Sequence, residues 1–281
     1  MQLGTLQEVT HEYVHDGESV ALEGFTHLIP FAAGHEILRQ KKRDLHLIRM
    51  TPDLIYDQLI GAGCARELTF SWGGNPGVGS LHRLRDAVEN DWPQPLKIHE
   101  YSHAGMAAAY TAGASRLPFG MLRSYTGTDL SQVNAEIREV RCPYTNAPIA
   151  TVPAINPDLT ILHAQAADYE GNVLIRGIVG AQKEAALAAR MLVVTVEELV
   201  ESLSAPINSI VLPHWVVTAV AVVPMGAYPS YAHGYYARGN AFYRHWDEIA
   251  RDRDTFTKWI TRHVVNSRDH AEFLDSLAEA A

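Results

Sequence analysis

Three short segments of this 281-residue chain combine glycine with side chains that could bind or transform a small molecule. They are residues 23–30 (EGFTHLIP), 71–80 (SWGGNPGVGS) and 99–105 (HEYSHAG). Each segment follows an apolar stretch that predicts a β-strand. Ligands of open parallel sheets bind just beyond the carboxyl ends of the strands, so these segments are the first candidates for a site.

The glycine-rich segment, residues 73–79, lies between a predicted strand and a predicted helix, where backbone N–H groups can cradle phosphates. It lacks the Gly-Lys-Ser/Thr ending of a P-loop, and His82 stands where a dinucleotide fingerprint needs its third glycine. Two interpretations stay open. The segment is a tight turn of an α/β sheet, or it is a wall for the phosphates or pantetheine of a large anionic cofactor.

The other two segments offer polar groups. The first has an acid, a flexible glycine and a hydroxyl, which could serve a site or simply connect a strand to a helix; these are Glu23, Gly24 and Thr26. In the third segment Ser102 could cap the following helix. Glu100 and His103 are then its site candidates.

Residues 11–15 (HEYVH) match the H-E-x-x-H pattern of zinc proteases. That chemistry needs both imidazoles on the site-facing side of the helix, together with a third ligand. The apolar stripe of the predicted helix places His11, Glu12 and His15 on the opposite side, toward solvent. The sequence therefore predicts no metal site here.

A self-contained nucleophile is not evident in the sequence. There is no Gly-x-Ser-x-Gly elbow, and neither Cys64 nor Cys142 has a nearby basic partner. This absence fits a subunit whose active site is completed by another chain.

Charge and composition narrow the classes of function. The formal net charge of −9 argues against nucleic acid as a partner, because phosphate backbones need a basic surface. Two cysteines suggest no disulfide framework, so we expect a reducing cytoplasm, and the N-terminus does not resemble a signal peptide. The most apolar stretch, residues 209–225, is broken by prolines and predicts buried strands rather than a membrane span.

Predicted strands alternate with predicted helices along the first half of the chain, up to a strand at residues 120–123. This pattern predicts βαβ units in an open, mainly parallel sheet with helices on both faces. Residues 241–281 are polar with helical spacing. We therefore expect one domain over residues 1–281, in which residues 241–281 form a helical C-terminal extension.

Residues 16–25 (DGESVALEGF) resemble the N-terminal signature of the family I CoA-transferases: Asp-Gly, two residues, three apolar residues, then Gly-Gly-Phe. Glu23 replaces the first of the paired glycines, and Pro30 comes one residue early without its preceding glycine. These changes resemble the glutaconate CoA-transferase branch more than the succinate/3-oxoacid branch. Similar stretches follow over most of the chain, at residues 100–102, 112–119, 127–128, 163–173 and 194–200.

The resemblance implies the CoA-transferase fold of an alpha-type subunit, with a CoA thioester as substrate and no permanently bound cofactor. It also implies that the nucleophilic glutamate belongs to a beta-type partner in an α2β2 assembly, so no catalytic residue is expected on this chain. This chain would line the acyl and CoA pocket. The expected pocket residues are Gly24, Phe25, Thr26, Glu100, Ser102, His103, Gly127 and Thr128. A dicarboxylate acceptor could place its distal carboxylate on Arg123, on His103 or on the partner.

Three alternatives remain at this point. The acceptor could be glutaconate or another acid. Relatives of this architecture also hydrolyse a C–C bond in ring-derived CoA thioesters, in which case Glu100 could act as a general base. Finally, the chain could be a binding module for CoA esters without activity of its own. The aromatic segment at residues 228–236 could be partner interface or core.

Overall fold

The computed structural model describes residues 1–125 and 127–278. Its strands are β1 Gln2–Leu3, β2 Ser19–Glu23, β3 Leu45–Ile48, β4 Ala65–Phe70, β5 Lys97–Glu100, β6 Phe119–Leu122, β7 Arg138–Arg141, β8 Pro148–Pro153, β9 Leu159–Asp168, β10 Val173–Ile175, β11 Met191–Val200, β12 Ile210–Leu212 and β13 Ala219–Val222. Its α-helices are α1 Leu6–Tyr13, α2 Phe31–Arg39, α3 Leu54–Gly61, α4 His82–Asn90, α5 His103–Ala114, α6 Leu130–Val133, α7 Gln182–Ala188, α8 Asn240–Arg251, α9 Arg253–Trp259 and α10 His270–Ala278. A 3-10 turn spans His214–Val216, and a π-helical segment spans Ile260–Val265.

Ten strands form the main sheet, in which β1-β13-β11-β9-β2-β3-β4-β5 lie in parallel order. Strands β10 and β12 continue it as an antiparallel pair. The chain runs outward from β2 through β3, β4 and β5, and outward from β9 in the other direction. The strand order therefore reverses between β2 and β9, and such a switch point is where doubly wound sheets bind ligands.

Helices cover both faces of this sheet, as the sequence predicts. Side chains of successive strand residues point to opposite faces. Val20 and Leu22 pack in a core with α2, α3 and the C-terminal helices, whereas Ala21 packs in a second core with α5 and α7. Because both faces are buried, the central strands are apolar without alternation.

The strand predicted near residues 120–123 exists as β6, but it does not extend the parallel sheet. It pairs antiparallel with β8, which also pairs with β7, in a separate three-stranded sheet. Gly120 lets this sheet approach α5, because a Cβ there would lie 2.5 Å from the carbonyl oxygen of Ala108. All four residues of β7 are exposed, so the segment lacks the apolar pattern that would have revealed it.

The C-terminal helices α8, α9 and α10 pack against the α2–α3 side of the sheet. Their aromatic side chains Trp246, Phe256 and Phe273 are buried there, each at most 1% exposed. Among the described residues, no helix is both long and apolar enough to cross a membrane.

Candidate functional site

The first loop, residues 24–30, leaves β2 at the switch point and folds back sharply before α2. Thr26 and Leu28 adopt positive φ angles of 58° and 52°, which is uncommon for a leucine and rare for a β-branched residue. Gly24 makes the reversal possible, because a Cβ there would lie 2.7 Å from the carbonyl oxygen of Leu28. Backbone strain of this kind concentrates at ligand sites.

Buried hydrogen bonds hold the first loop in this shape. The Arg49 guanidinium, which is fully buried, donates from Nη2 to the carbonyl oxygen of Gly24 (2.9 Å) and from Nη1 to Asp53 Oδ1 (2.9 Å). The Ser230 hydroxyl donates to the carbonyl oxygen of Thr26 (2.9 Å). The loop is thus tied to α3 on one side and to residues 228–236 on the other.

His27 is a structural member of the same loop. Its Nε2 accepts the backbone N–H of His233 (2.9 Å), so Nδ1 carries the proton and donates to the carbonyl oxygen of Ile178 (3.2 Å). Burial lowers the pKa of His27 to about 4. The ring is therefore neutral at pH 7 and locks the loop rather than taking part in proton transfer.

Glu23, which replaces a signature glycine, is buried directly beneath the loop. Its Oε1 accepts the backbone N–H of Met50 (3.0 Å) and the hydroxyl of Tyr110 (2.9 Å). Burial raises the pKa of this carboxyl, although Arg49 and the two donors oppose that effect. The substitution thus connects the end of β2 to β3 and α5.

The third segment forms the end of β5 and the start of α5. Ser102 caps α5 by accepting the N–H of Gly105 (3.1 Å), as predicted. His103 is exposed, and its Nδ1 lies 3.3 Å from Ser71 Oγ. The Ser71 hydroxyl in turn donates to the carbonyl oxygen of Met50 (2.6 Å). Met50 therefore links the start of α5 to the first loop, because its backbone N–H donates to the Glu23 carboxylate beneath that loop.

This arrangement fixes the chemistry open to His103. Because the Ser71 hydrogen is donated to Met50, Ser71 Oγ can only accept from the imidazole, so Nδ1 carries a proton. In a neutral ring Nε2 is then an acceptor. Donation from Nε2 to a substrate oxyanion or carboxylate requires the imidazolium form.

Tyr125 connects the segment at residues 127–128 to the start of α5. The N–H and hydroxyl of Thr128 donate to the carbonyl oxygen of Tyr125 (3.1 and 3.0 Å). The phenol oxygen of Tyr125 accepts the N–H of Ser102 (2.9 Å). Gly105 leaves room for that ring, because a Cβ there would lie 1.9 Å from the hydroxyl. Gly127 and Thr128 are themselves exposed.

Glu100 is the outlier among the expected pocket residues. It is the last residue of β5, and its exposed carboxylate forms no hydrogen bond with a described residue. Its carbonyl oxygen accepts from the Asn134 side chain (2.8 Å). Hydrogen bonds through Met50 and Ser71 thus connect the end of β2 to His103. Tyr125 connects the 127–128 segment to Ser102. Neither Phe25 nor the Glu100 carboxylate takes part in these bonds.

The glycine-rich segment forms a second loop, residues 73–80, several of whose backbone N–H groups bond within the protein. The Asn75 N–H donates to the carbonyl oxygen of Gly79 (2.8 Å), and the Gly79 N–H donates back (3.0 Å). At the start of α4, the N–H groups of Arg83 and Leu84 donate to the buried Asp57 carboxylate (2.8 and 2.9 Å). These donors are therefore not available to a phosphate.

The second loop nevertheless faces the first. A cavity of about 330 Å³ lies between them, lined by Thr26, Pro76, Gly77, Tyr231, Arg238 and Tyr243. Arg238 donates to the carbonyl oxygen of Pro76 (2.8 Å), which sets one wall. The residues at this edge that sequence reasoning missed are Arg49, Ser71, Tyr110, Tyr125 and Arg238. Of these, only Arg49 stands out in the sequence, because it is a charged residue directly after the apolar stretch of β3.

The H-E-x-x-H residues lie where the helical periodicity places them. His11, Glu12 and His15 are all exposed, at α1 and directly after it. Within residues 1–125 and 127–278, no group of three or more potential ligands could hold a metal ion.

Comparisons with known proteins give consistent results. The family model described as coenzyme A transferase matches residues 4–222. The chain is 62% identical over 278 residues to the A subunit of 3-oxoadipate CoA-transferase from Pseudomonas knackmussii, covering 99% of each chain. It is 30% identical to the A subunit of glutaconate CoA-transferase from Acidaminococcus fermentans, covering 97% of this chain and 91% of that one. The crystal structure of glutaconate CoA-transferase from the same organism superposes with a TM-score of 0.91, at 28% identity, over 99% of this chain and 93% of that chain.

Proposed function

The chain belongs to the coenzyme A transferase family, and we propose that it is the alpha-type subunit of an enzyme that moves CoA from succinyl-CoA to 3-oxoadipate. The observation that carries this proposal is the 62% identity, over 99% of both chains, to the A subunit of 3-oxoadipate CoA-transferase. The reaction belongs to the β-ketoadipate route of aromatic-compound breakdown. We place it in the cytoplasm, in keeping with two unpaired cysteines, Cys64 and Cys142.

The partner is a beta-type subunit, in an α2β2 assembly, that supplies the nucleophilic glutamate. Its carboxylate attacks the thioester carbonyl of succinyl-CoA and expels CoA thiolate, which leaves a mixed anhydride. The thiolate then attacks the glutamyl carbonyl, which releases succinate and leaves a glutamyl-CoA thioester. 3-Oxoadipate reverses both steps and departs as 3-oxoadipyl-CoA.

The contribution of this chain is to bind the acyl group and stabilise its oxyanion. The N–H groups of Phe25 and Thr26 donate to no described residue, and they lie on the strained loop at the switch point. Aligned donors of this kind lower the barrier by about 3 kcal/mol each. The strain and the buried Arg49 tie keep these donors fixed before the substrate arrives.

The second wall of the pocket is the start of α5. Ser102 and His103 are held there by Tyr125 and Ser71, so the imidazole is oriented before binding. His103 meets the distal carboxylate of the dicarboxylate acid at this wall. Arg238 stands beside Thr26 and is a further cation within reach of the pocket. Gly127 and Thr128 close a third side.

The proposal is tested by co-expressing the chain with the product of the neighbouring gene in its genome. The purified pair and the single chain are each given succinyl-CoA and 3-oxoadipate. We expect only the pair to form 3-oxoadipyl-CoA and succinate in equal amounts. Release of free CoA without a new thioester would contradict transfer and favour hydrolysis, while activity with glutaconate alone would contradict the acceptor.

A further inference from the structure

A second cavity lies on the β1 side of the main sheet, beyond the carboxyl ends of β1 and β13. It measures about 600 Å³, within the usual range of small-molecule pockets. The start of α1, one side of α2 and the C-terminal helix α10 enclose it. Its lining includes Leu6, Arg39, Met225, His270 and Leu274.

Arg39 supplies a buried cation to this cavity. Its side chain is 7% exposed, and its Nε donates to Glu36 Oε2 (2.8 Å). Neither Nη1 nor Nη2 has a hydrogen-bond partner among residues 1–125 and 127–278. A guanidinium can bind one carboxylate through each of its forked edges. The ion pair with Glu36 uses one nitrogen, so the outer edge, Nη1 and Nη2, is available for a second acid.

The other charges around the cavity do not satisfy that edge. The Glu36 carboxylate is already engaged by Arg39 and by Gln40 Nε2 (2.8 Å). Asp269 lies 3.3 Å from exposed Arg268 and accepts the N–H at the start of α10 from Glu272 (3.0 Å).

His270 contributes no positive charge to the cavity. Its Nε2 lies 2.9 Å from the carbonyl oxygen of Met225, which makes Nε2 the protonated nitrogen. Burial lowers the pKa of His270 to about 4, so the ring is neutral at pH 7. Arg39 and Arg268 are therefore the cations that a ligand would meet.

The remainder of the lining is apolar. Leu6, Val223, Met225 and Leu274 provide aliphatic surface opposite the charged groups. A ligand that matches both parts has one carboxylate and a hydrocarbon body. Inorganic phosphate would satisfy the cation but leave the aliphatic surface uncovered.

We propose that this cavity binds a small aliphatic or aromatic monocarboxylic acid, with its carboxylate on the Nη1–Nη2 edge of Arg39 and its hydrocarbon against Leu6, Met225 and Leu274. The site is separate from the switch point at β2 and β9. It does not depend on the identity of the acid that the transferase uses.

The test is isothermal titration of the full-length chain with octanoate, octanamide and inorganic phosphate, each below any micelle-forming concentration. We expect octanoate to bind at one site, and the amide and phosphate to bind at least about tenfold more weakly, since each lacks half of the match. Equal binding of octanoate and octanamide would contradict the role of the cation, and equal binding of phosphate would contradict that of the aliphatic surface.

Two variants locate the binding. Arg39→Lys keeps a charge beside Glu36 but removes the fork, and should weaken octanoate at least about tenfold. Ala271→Phe, on the exposed side of α10, should fill the cavity and abolish binding without disturbing the ion pair. Ala241→Phe, at an exposed position of α8, is the size-matched control and should bind normally.

His103→Ala separates this site from the transferase pocket. Octanoate should bind the His103→Ala variant with the same affinity as the wild type. Loss of binding in His103→Ala, or full binding in both Arg39→Lys and Ala271→Phe, would overturn the proposal.

Discussion

Two loops at the same edge of the sheet differ in a way that sequence alone conceals. The second loop, residues 73–80, has four glycines and looks like a phosphate cradle, yet Asn75 and Gly79 bond to each other across it and its helix start is capped by Asp57. The first loop, residues 24–30, has one glycine. It is strained at Thr26 and Leu28, which adopt positive φ angles.

The difference shows that glycine content is a poor guide to a site. A glycine-rich turn costs little to form and needs few ties. A strained loop persists only when the surrounding structure determines it, and here a fully buried arginine and a buried glutamate do so.

The largest effect should come from cutting the tie under the first loop. Arg49→Met leaves Asp53 buried without its partner, which should lower the free energy of unfolding by about 3–5 kcal/mol. Arg238→Met removes the equivalent tie from the second loop and should cost about 1 kcal/mol. Urea unfolding of both variants measures the two losses in the free energy of unfolding. Similar losses would remove the distinction between the loops.

The next largest difference between the loops should come from replacing one glycine of each with alanine. Gly24→Ala forces a Cβ to within 2.7 Å of backbone, so it should destabilise the protein by about 3 kcal/mol. Gly77 also has a positive φ of 79°, but a Cβ there meets nothing within 4 Å. Gly77→Ala should therefore cost about 1 kcal/mol, the strain of the left-handed region alone. Thermal melts would show the ranking, and a reversed order would contradict it.

The carboxylate that caps α4 makes the second loop sensitive to pH. Burial raises the pKa of Asp57 from 3.8 to about 6 in the folded protein. The folded state therefore binds more protons than the unfolded state between about pH 4 and 6, and stability falls as pH rises through that window. The free energy of unfolding should be about 2 kcal/mol lower at pH 7 than at pH 4 from this group.

Asp57→Asn isolates that contribution. The free energy of unfolding of the wild type minus that of the variant, measured with urea, should fall as pH rises from about 4 to 6. A difference that does not change with pH would show that Asp57 titrates alike in both states.

The smallest effect should come from the cap at the start of α5. Ser102→Ala removes the acceptor of the Gly105 N–H and should cost about 1 kcal/mol. Ser102→Gly should cost only a few tenths of that, because glycine is a tolerated cap. Equal costs would mean that contacts other than the cap, such as the one with Tyr125, determine the stability of this segment.

Much of the fold follows from local pattern. The alternation of apolar strands with helices predicts the parallel sheet, and the strand ends predict the edge where the site lies. The strand β6 was predicted, but its place in a separate three-stranded sheet was not, because β7 is exposed throughout. The pairing of β6 with β8 joins segments about 30 residues apart, which local pattern does not encode.

The site was predictable only in outline. Gly24, Ser102 and His103 have the residue types that strand ends favour. Arg49, Tyr110 and Tyr125 come from other elements, and they matter through tertiary hydrogen bonds that no local spacing encodes. Glu100 has a reactive side chain and the right position along the chain, but its carboxylate is exposed and bonds to no described residue.

The central claim, that the first loop and the start of α5 form the acyl pocket, is tested most directly by comparing two histidines in the co-expressed pair. His103 lies at the start of α5 beside Ser71 (3.3 Å), whereas His82 pairs with Asp247 beside the second loop (2.9 Å). For His103→Ala we predict that kcat/KM for 3-oxoadipate falls at least about 100-fold. For His82→Ala we predict a change within about twofold. Normal kinetics in His103→Ala, or equal losses in both variants, would contradict the account.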